Sequence, residues 1–407
     1  MTRDADAPLR VAIFGESYLP YLSGVTVSTE ALARGLGAAG HRVLLVAPAP
    51  RRGSLPGAAG ALGPDPRVAW LPSLQLPGPA PAGYRVPWPL PSPALRAAVA
   101  FAPEIVHAQS PFVSGLMARR VARRVGAPLV FTHHTRFGDY RHYLGPLAAP
   151  GGALVAWYLR SYWSGCAAVV APGSDLAAEI AARLGGRRRP LVRAIPTGIE
   201  VPAIGALAPR DPRPLVGWPG DAIVVASLGR LAPEKSVDLL LEAFAAAAAD
   251  IPALRLILVG GGPSEASLRE RVATPDLAGR VHLTGQLPRL EALALIKGAD
   301  LFVAASRTET QGLVLAEALA AGLPVVALAG PGVADSVRDG VDGVVVPSEP
   351  PAGRSGRLAD ALRELAQQAN LRATLAAAAL AGADRFSVAT RIETMLELYR
   401  ELLAERA

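Results

Sequence analysis

The stretch that organises the chain is Ser306–Pro324, which reads SRTETQGLVLAEALAAGLP. From Leu313 to Ala321 it consists of good helix formers that are apolar on every face, and this pattern predicts a buried helix. Gly322 followed by Pro324 is typical of a helix end. Glu317 is the only charge on this helix. A lone buried carboxylate needs a partner, because burial penalises its ionised form.

The start of the same helix is a candidate anion site. The polar loop before it ends in Gly312, and the unpaired N–H groups and positive dipole end of a helix suit a phosphate. Glu309 in the loop and Glu317 in the helix would flank that anion. One alternative stays open, in which Glu317 pairs with a structural arginine and Gly312 only starts the helix.

Outward from this stretch, short apolar runs alternate with helical segments in two series, and such runs are typical of buried parallel strands. The first series predicts strands at Leu9–Phe14, Arg42–Ala47, Ile105–Ala108, Leu129–Thr132 and Ala167–Ala171. The second predicts strands at Ile223–Ser227, Leu254–Val259, Val281–Thr284, Leu301–Ala304 and Pro324–Leu328. The helix Val25–Ala39 completes a first βαβ unit.

The second series restarts after a Pro-rich link, Pro202–Pro219, which indicates two doubly wound α/β domains. We place the first at residues 1–205 and the second at residues 206–385. An amphipathic helix lies near the end of the chain, at Val388–Glu405. The carboxyl ends of the strands of two such domains are expected to face a central cleft that holds the ligands. Residues 50–96 are rich in Pro and Gly, and no elements are assigned there.

Composition limits the class of protein. The 407 residues suffice for two cores, and the single cysteine, Cys166, excludes an internal disulfide and predicts a reducing compartment. The N-terminus carries acids and lacks the apolar segment of a secretory signal. No uninterrupted apolar run reaches the length of a membrane span. We therefore expect a soluble cytoplasmic protein.

The charge is unevenly distributed. Residues 1–210 contain 22 arginines and no lysine against 10 acidic residues, a net charge of +12, whereas residues 211–407 carry a net charge of −5. The basic helix Val113–Val125, with arginines at 119–120 and 123–124, contributes much of this excess. Such a field favours nucleic acid or an anionic membrane, and a solvated arginine-rich surface is an equal alternative.

Two cations form a candidate diphosphate clamp. Arg230 and Lys235 lie between a predicted strand end and the predicted helix Val237–Ala249, where helix N–H groups assist anion binding. The alternative is a salt bridge from Lys235 to Glu234 or Asp238. Three glycines at 260–262 resemble a dinucleotide loop, but they lack its spacing and serve equally well as a turn.

Polar residues follow the predicted strand Leu129–Thr132. His133 and His134 come first, and Tyr140 lies in the loop beyond. No further histidine or carboxylate at ligand spacing accompanies the two histidines, so contact with substrate is favoured over a metal. Because side chains alternate along a strand, His133 points opposite to His134, and a core position is an alternative for His133.

The ordered segments SYLPYLSGVTVSTEALARGLGAAGHRV, IPTGIE, LGRLAPEKSVDLLLEAF, LILVGGGP and TETQGLVLAEALAAGLPVV resemble family 4 retaining glycosyltransferases of the GT-B architecture over nearly the whole chain. Glu309 and Glu317 match the family's pair of glutamates separated by seven residues. The resemblance implies the GT-B fold and a final helix, residues 386–407, that packs back on the N-terminal domain.

The resemblance also implies roles for individual residues. Arg230 and Lys235 would hold the donor diphosphate, Glu309 the donor sugar and Glu317 the ribose. The remaining implied contacts are donor contacts by Gly24, Val281, His282, Leu283, Thr310, Gln311, Gly312 and Leu313, and acceptor-side contacts by His133, His134 and Tyr140. The implied catalytic set is His134, Arg230, Lys235 and Glu309, and neither a cofactor nor a metal is required.

The chemistry implied is transfer of a hexose from a nucleoside diphosphate sugar with retention. No first-domain carboxylate is clearly placed as a nucleophile, which favours front-face attack over double displacement. The segment THHTRFGDYRHY is most similar to the branch that glycosylates diacylglycerol, which implies a membrane-lipid acceptor, a UDP-glucose-like donor with GDP-mannose as the alternative, and a peripheral position on the inner face of the membrane. The basic helix would then lie in the interface of an anionic leaflet. A soluble sugar or polyol phosphate acceptor is the second hypothesis. A non-catalytic protein that binds nucleotide sugars or nucleic acid is the third, and the expected partners do not include nucleic acid.

Overall fold

A computed structural model describes residues 7–19, 21, 23–50, 67–75, 84–134, 148–185, 189–306 and 311–406. The chain forms two compact units. Unit 1 comprises Met1–Gly198 and Val388–Ala407, and unit 2 comprises Ile199–Ser387.

Unit 1 is built on a parallel sheet of seven strands in the order β3-β2-β1-β6-β7-β8-β9. The strands of this unit are β1 (Arg10–Phe14), β2 (Arg42–Pro48), β3 (Arg67–Leu71), β4 (Ser73–Leu74), β5 (Val86–Pro87), β6 (Ile105–Ala108), β7 (Leu129–Thr132), β8 (Ala168–Ala171) and β9 (Leu191–Ala194). Its helices are α1 (Gly24–Ala38), α2 (Pro93–Ala100), α3 (Val113–Val125), α4 (Ala148–Trp163), α5 (Ser174–Arg183) and the C-terminal α14 (Val388–Ala404). The short strands β4 and β5 pair with each other in an antiparallel hairpin.

Unit 2 has a six-stranded parallel sheet in the order β12-β11-β10-β13-β14-β15. Its strands are β10 (Ile223–Leu228), β11 (Leu254–Val259), β12 (Val281–Leu283), β13 (Leu301–Ala304), β14 (Val325–Leu328) and β15 (Gly343–Val346). Its helices are α6 (Val201–Ala206), α7 (Pro212–Val216), α8 (Val237–Asp250), α9 (Glu265–Val272), α10 (Arg289–Lys297), α11 (Leu313–Ala320), α12 (Arg354–Gln367) and α13 (Ala369–Ala381). In both units the strand order reverses beside the first strand, which is the doubly wound arrangement that places ligands at the carboxyl ends of the strands.

Each sheet is covered on both faces. The central strands are largely apolar, and β6, β7, β8 and β14 are buried at every position. Helix α14 closes one face of unit 1, where Tyr399 is fully buried and Ile392 packs where a side chain on Gly35 of α1 would lie. The terminal helix is therefore part of the core of unit 1.

The predicted link Pro202–Pro219 is wrong as a description of structure. Residues in this segment form helices α6 and α7, both inside unit 2, which begins at Ile199 and not at residue 206. Proline lies in the first turn of both helices, because its fixed φ suits that position and the missing N–H has no partner to lose there. Prolines that suggested a link thus start helices.

Candidate active site

The loop before α11 is held in place by a neighbouring segment. Gly312, the N-cap of α11, has a φ of +71°, a left-handed conformation that glycine adopts without strain. Gly332 packs so closely that a Cβ on it would lie 2.8 Å from the amide nitrogen of Gln311. The Ser336 hydroxyl donates to the Gln311 carbonyl oxygen at 2.8 Å. Gln311 and Gly312 are buried and Leu313 is half-buried, so the backbone at the helix start is rigidly positioned.

Helix α11 carries the predicted buried carboxylate. Glu317 is 2% exposed and forms a short ion pair with Arg289 at the start of α10. Burial raises the pKa of Glu317, and the Arg289 guanidinium opposes that shift. The partner required by the sequence is thus an arginine in this structure. Glu309, Thr310 and Tyr140, three of the predicted site residues, lie outside the described residues.

The clamp loop follows the carboxyl end of β10. Arg230 is exposed, and Lys235 belongs to a 3-10 turn, Pro233–Lys235, that precedes α8. Both residues line one cavity of about 30 Å³, together with Ser306 and Val314 from either side of the α11 loop. The Ser306 hydroxyl also donates to the Glu234 carbonyl oxygen at 3.4 Å. The structure therefore brings the clamp and the α11 helix to one place at the edge of the sheet.

The three glycines at 260–262 support the clamp loop. Gly260 has a φ of +136°, and a Cβ on it would overlap the Gly229 carbonyl oxygen. A Cβ on Gly262 would overlap the Leu231 carbonyl oxygen, and the Leu231 amide donates to Gly261 at 3.0 Å. These glycines let two loops approach each other backbone to backbone. Of the two alternatives, a turn and a dinucleotide loop, this arrangement is the turn.

Strand β12 holds the predicted base-contacting segment. Val281 and Leu283 are buried in the core of unit 2, while His282 between them is half-buried on the opposite face. Burial lowers the pKa of His282, and Arg269 adds to the effect. His282 thus presents a neutral ring at the edge of the sheet. The side chains of Val281 and Leu283 pack inward.

In unit 1, His134 follows the carboxyl end of β7. Its Nε2 lies 2.7 Å from Oε1 of Gln109, which follows the adjacent strand β6. An amide oxygen only accepts hydrogen bonds, so Nε2 donates and Nδ1 carries the lone pair. Burial lowers the pKa of His134 to about 4, and the ring is therefore neutral at pH 7.

Beneath His134 lies a second polar chain. His107 of β6 is fully buried, with Nδ1 2.6 Å from the Tyr399 hydroxyl of α14 and Nε2 2.7 Å from the Thr132 hydroxyl. Burial lowers the pKa of His107 to about 3. Such a chain fixes the carboxyl ends of β6 and β7 relative to α14, which positions His134 above them.

The two adjacent histidines are not brought together at the site. His133 is 3% exposed, and its ring lies edge-on to Phe131 and Trp163 at centroid distances of 5.7 and 5.3 Å. His133 therefore occupies the core position that was its alternative to substrate contact. Side chains alternate along a strand, so His133 points away from the side on which His134 lies. Among the described residues, no group of three or more His, Cys, Asp or Glu side chains is arranged to hold a metal.

The loop after β1 leads into the N-terminus of α1. Gly24 is the first residue of α1, and none of the described atoms lies within 4 Å of the place where its Cβ would be. The Ser23 side chain caps this helix by accepting from the Thr26 amide at 3.2 Å. Glu16 accepts from the Ser114 amide at 2.9 Å and so occupies the N-terminus of α3. Ser23 thus caps the start of α1 while the described atoms leave space beside Gly24, and Glu16 occupies the start of α3.

The sequence did not indicate several residues that support the site: Arg289, Gln109, His107, Gly332 and Ser336. Each acts through a partner distant in the sequence, so no local pattern marks it. The sequence held one signal for these residues. His107 is the single polar residue in an otherwise apolar predicted strand, and a buried histidine needs hydrogen-bond partners.

Two family descriptions match the chain. "Glycosyltransferase Family 4" matches residues 22–201, and "Glycosyl transferases group 1" matches residues 212–381. The matches fall almost entirely within unit 1 and unit 2, respectively.

Individual relatives cover most of the chain. The chain is 29% identical over 334 residues to the α-monoglucosyldiacylglycerol synthase of Acholeplasma laidlawii, covering 78% of the chain and 80% of the relative. It is 32% identical over 320 residues to the GDP-mannose-dependent α-mannosyltransferase of Mycolicibacterium smegmatis, covering 78% of the chain and 79% of that relative. Identity and coverage at this level confirm the resemblance found in the sequence.

A solved structure supports the fold. The crystal structure of Anabaena HepE in complex with UDP and glucose superposes with a TM-score of 0.68 at 20% identity, covering 97% of this chain and all of that chain. The predicted GT-B fold, with parallel α/β sheets, is confirmed.

Proposed function

The chain belongs to the family 4 glycosyltransferases of the GT-B fold, which act on nucleotide sugars, and from this premise we propose that it transfers a hexose to a hydroxyl group of a membrane lipid such as diacylglycerol. One observation carries the proposal. Arg230 and Lys235 line a single cavity with Ser306 and Val314, beside the N-terminus of α11. Two cations beside the N-terminus of a helix suit a diphosphate.

The donor would bind mainly to unit 2. Arg230 and Lys235 would hold the diphosphate, and the amides of Gln311, Gly312 and Leu313 would hold the distal phosphate. Their rigid placement by Gly332 and Ser336 supports this role, because preorganised donors need no reorganisation when charge develops.

The nucleoside would lie nearby in the same unit. Glu317 would bind the ribose hydroxyls, and its ion pair with Arg289 opposes the rise in the pKa of this carboxyl that burial causes. The base would stack or pack near β12, where the half-buried ring of His282 is the side chain available at the edge. Gly24 at the start of α1, beside which the described atoms leave space, would allow the donor phosphate and sugar to approach the backbone.

We propose a retaining, metal-independent reaction at the front face of the sugar. The acceptor oxygen forms a bond to the anomeric carbon while the bond from that carbon to the phosphate oxygen breaks. The acceptor proton passes to the departing phosphate oxygen, and the nucleoside diphosphate leaves. Arg230, Lys235 and the α11 amides stabilise its charge, and Glu309 positions the sugar without attacking it.

His134 would contact the donor sugar on the acceptor side. Its ring is neutral and its Nε2 proton is directed to Gln109, so Nδ1 is the atom free to accept a hydrogen bond from a sugar hydroxyl. Tyr140 is proposed for the same side of the site.

The lipid acceptor rests on the similarity to the A. laidlawii synthase, whose name states that it makes a glucosyldiacylglycerol. The same relative's name points to transfer of glucose, for which we propose a UDP-glucose-like donor, and the name of the M. smegmatis enzyme keeps GDP-mannose as the alternative donor. Among the described residues no helix is both long and apolar enough to cross a bilayer. We propose a peripheral position on the inner face of the membrane.

The test is transfer from a panel of nucleotide sugars with and without dispersed diacylglycerol. We expect release of UDP from UDP-glucose that increases when diacylglycerol is present, together with a glycolipid product that keeps the α configuration. A product made only from inositol phosphate or a free sugar would replace the lipid acceptor by a soluble one. No release of UDP or GDP under any condition would refute the proposed reaction.

The role of Glu309 is tested by the change Glu309→Ala. We expect turnover to fall at least a hundredfold while UDP affinity stays within about threefold, because Glu309 would contact the sugar and not the nucleotide. The matched control is Glu364→Ala, an exposed glutamate on α12, which should leave turnover unchanged. Full activity of Glu309→Ala would contradict the assigned role.

A further inference from the structure

Helix α4 carries large apolar side chains that the described part of the chain leaves uncovered. Leu154 is 64% exposed and Trp157 is 66% exposed, and they lie about one turn apart on the helix. Ala153 and Ala156 beside them are exposed as well. An uncovered leucine and tryptophan on one helix face indicate an interaction surface, and tryptophan is enriched at the boundary between a bilayer and water.

Helix α3 packs beside α4. The Tyr162 hydroxyl of α4 donates to the Gly115 carbonyl oxygen of α3 at 3.0 Å, and Arg119 donates back to the Tyr162 carbonyl oxygen at 2.8 Å. The rings of Phe112 and Tyr158 stack with their centroids 6.1 Å apart. The two helices therefore form one continuous surface.

The exposed face of α3 supplies positive charge to this surface. Arg120, Arg123 and Arg124 are all exposed, and Leu116, one turn before Arg120, is 49% exposed. Neither α3 nor α4 contains an acidic residue. Among the described side chains, the exposed ones of the two helices are thus apolar or cationic, apart from Ser161.

The structure limits how α3 can take part in the membrane interface expected from its arginines, because its apolar face is not exposed. That face packs in the core of unit 1, where Met117 and Val121 are at most 5% exposed. Core packing already buries the apolar side chains that an interfacial helix would insert. Helix α3 can therefore offer its arginines and Leu116, and the larger apolar contribution comes from α4.

A groove on the other side of α3 extends the surface. It encloses about 1090 Å³ and is open to solvent, with Val99, Val113 and Met117 among its apolar lining and Arg120 and Arg124 among its cationic lining. Apolar and cationic walls in one groove match the two parts of an anionic phospholipid.

We propose that helices α3 and α4 form a docking surface for an anionic phospholipid bilayer. Leu154 and Trp157 enter the boundary between headgroups and acyl chains, and Arg120, Arg123 and Arg124 contact lipid phosphates. This inference rests on the proposed function for its purpose, since a diacylglycerol acceptor resides in a bilayer.

Two other occupants fit the surface less well. A nucleic acid would satisfy the arginines but offers no apolar layer for Leu154 and Trp157. A second copy of the chain, related by a twofold axis, would place the same arginines opposite one another, and like charges repel. A bilayer satisfies both the apolar and the cationic side chains.

The experiment is flotation of the full-length protein with vesicles of phosphatidylcholine alone or with one-third phosphatidylglycerol, at low and high salt. We expect binding to the anionic vesicles at low salt, weaker binding at high salt and little binding to phosphatidylcholine. The triple change R120S/R123S/R124S should weaken binding about a hundredfold, because each basic residue near an anionic surface is worth a factor of about five.

The apolar part is tested by L154S/W157S, which should weaken vesicle binding at least tenfold without changing the salt dependence. Its matched control is Leu215→Ser, a 51% exposed leucine of unit 2, which should bind vesicles as the wild type does. Wild-type protein that ignores anionic vesicles, or that binds them equally well after both sets of changes, overturns the inference. The inference is also overturned if the variants lose vesicle binding only because they have lost self-association or binding to duplex DNA.

Failure of docking and failure of the proposed function are separable. Binding of UDP-glucose, measured by thermal shift on the same preparations, should be unchanged in the docking variants, because they leave unit 2 intact. Vesicle binding without any nucleotide-sugar binding would refute the proposed function and leave the docking surface standing. Nucleotide-sugar binding without vesicle binding would refute the docking surface alone.

Discussion

The pair formed by Gln109 and His134 determines which atom of the histidine faces a ligand. The amide oxygen of Gln109 accepts from Nε2 at 2.7 Å, and Gln109 itself is 3% exposed, so the pair is fixed. We infer that Gln109 is a positioning residue that holds the proton of the neutral His134 ring on Nε2 and leaves Nδ1 unprotonated, while burial keeps the ring neutral. Its effect would be felt through His134 and not through contact with the sugar.

This role predicts a changed pH dependence for Gln109→Glu. A carboxylate in place of the amide stabilises the imidazolium, so the pKa of His134 should rise from about 4 to near or above its ordinary value of about 6.5. The variant should therefore lose kcat as the pH falls from 8 to 6, a range in which the wild-type profile stays flat for this group. The measurement is the pH profile of kcat and of the donor KM.

The control for that experiment is Gln367→Glu, the same chemical change at an exposed position of α12. Its pH profile should match that of the wild type. If Gln109→Glu also gave an unchanged profile while turning over substrate, Gln109 would be structural only.

Glu317 shows how far a single residue can be interpreted from sequence. The pattern of a single carboxylate on an apolar helix correctly predicted that Glu317 has a partner, because the cost of burying an unpaired charge is high. The sequence left the choice between an arginine and a ligand open. Arg289 lies 28 residues away on another helix, and only the packing of α10 against α11 brings the two together.

At the scale of elements, the central strands were predictable and most edge strands were not. The predicted bounds of β6, β7, β11 and β13 match the structure, because a strand buried on both faces is a nearly continuous apolar run. The sequence predicted no strand at β3, β9 or β15, and all three lie at the edge of a sheet. Edge strands have one neighbour and more solvent contact. In β9, for example, no residue is buried and Arg193 is exposed.

The clamp loop depends on an element that the sequence left ambiguous, the glycine turn after β11. Gly229 and Gly260 both have left-handed or positive φ values and touch backbone to backbone. The residue pattern permitted a dinucleotide loop or a turn. The close approach to the neighbouring loop distinguishes the turn from the dinucleotide loop. That contact joins residues that follow two different strands, β10 and β11.

We predict that Gly260→Ala disrupts this element. The added methyl group would overlap the Gly229 carbonyl oxygen, and alanine is strained at a φ of +136°, so unfolding should be easier by about 3 kcal/mol or more. Displacement of the loop that carries Arg230 should also weaken UDP binding at least tenfold. Urea denaturation and UDP titration check the two effects.

Gly220→Ala serves as the comparison, because among the described atoms none lies within 4 Å of the added methyl group and the backbone there is not left-handed. It should change stability by less than about 1 kcal/mol and leave UDP binding intact. Equal behaviour of the two variants would show that the close contact at Gly260 is unimportant.

For the whole molecule, the sequence predicted two doubly wound domains because strand-helix alternation restarts in mid-chain. It could not locate where the chain passes between them, since prolines that start helices and prolines in linkers have the same local signature. The amphipathic pattern of α14 does not indicate that this helix packs on unit 1 and not on unit 2. The resemblance to a family implied it, and in the structure Tyr399 of α14 bonds to His107.

The two units should also respond differently to acid. His107 and His134 are both in unit 1, and burial lowers their pKa values to about 3 and about 4. In the unfolded chain both titrate near 6.5. Below that pH the unfolded state binds protons that the folded state does not, so unit 1 is fully stable above about pH 6.5 and loses stability as the pH falls toward 4. Each histidine contributes a slope of about 1.4 kcal/mol per pH unit.

Tryptophan fluorescence can follow this loss selectively, because four of the five tryptophans, Trp70, Trp88, Trp157 and Trp163, belong to unit 1. We predict that the urea midpoint seen by fluorescence falls between pH 7 and pH 5. His107→Gln should lower the midpoint at pH 7, since its bonds to Tyr399 and Thr132 are weakened, but should reduce the pH-dependent fall by about half. His282→Gln, in unit 2, should leave that fall unchanged. A fall of the same size in His107→Gln as in the wild type would mean that other groups control the acid sensitivity of unit 1.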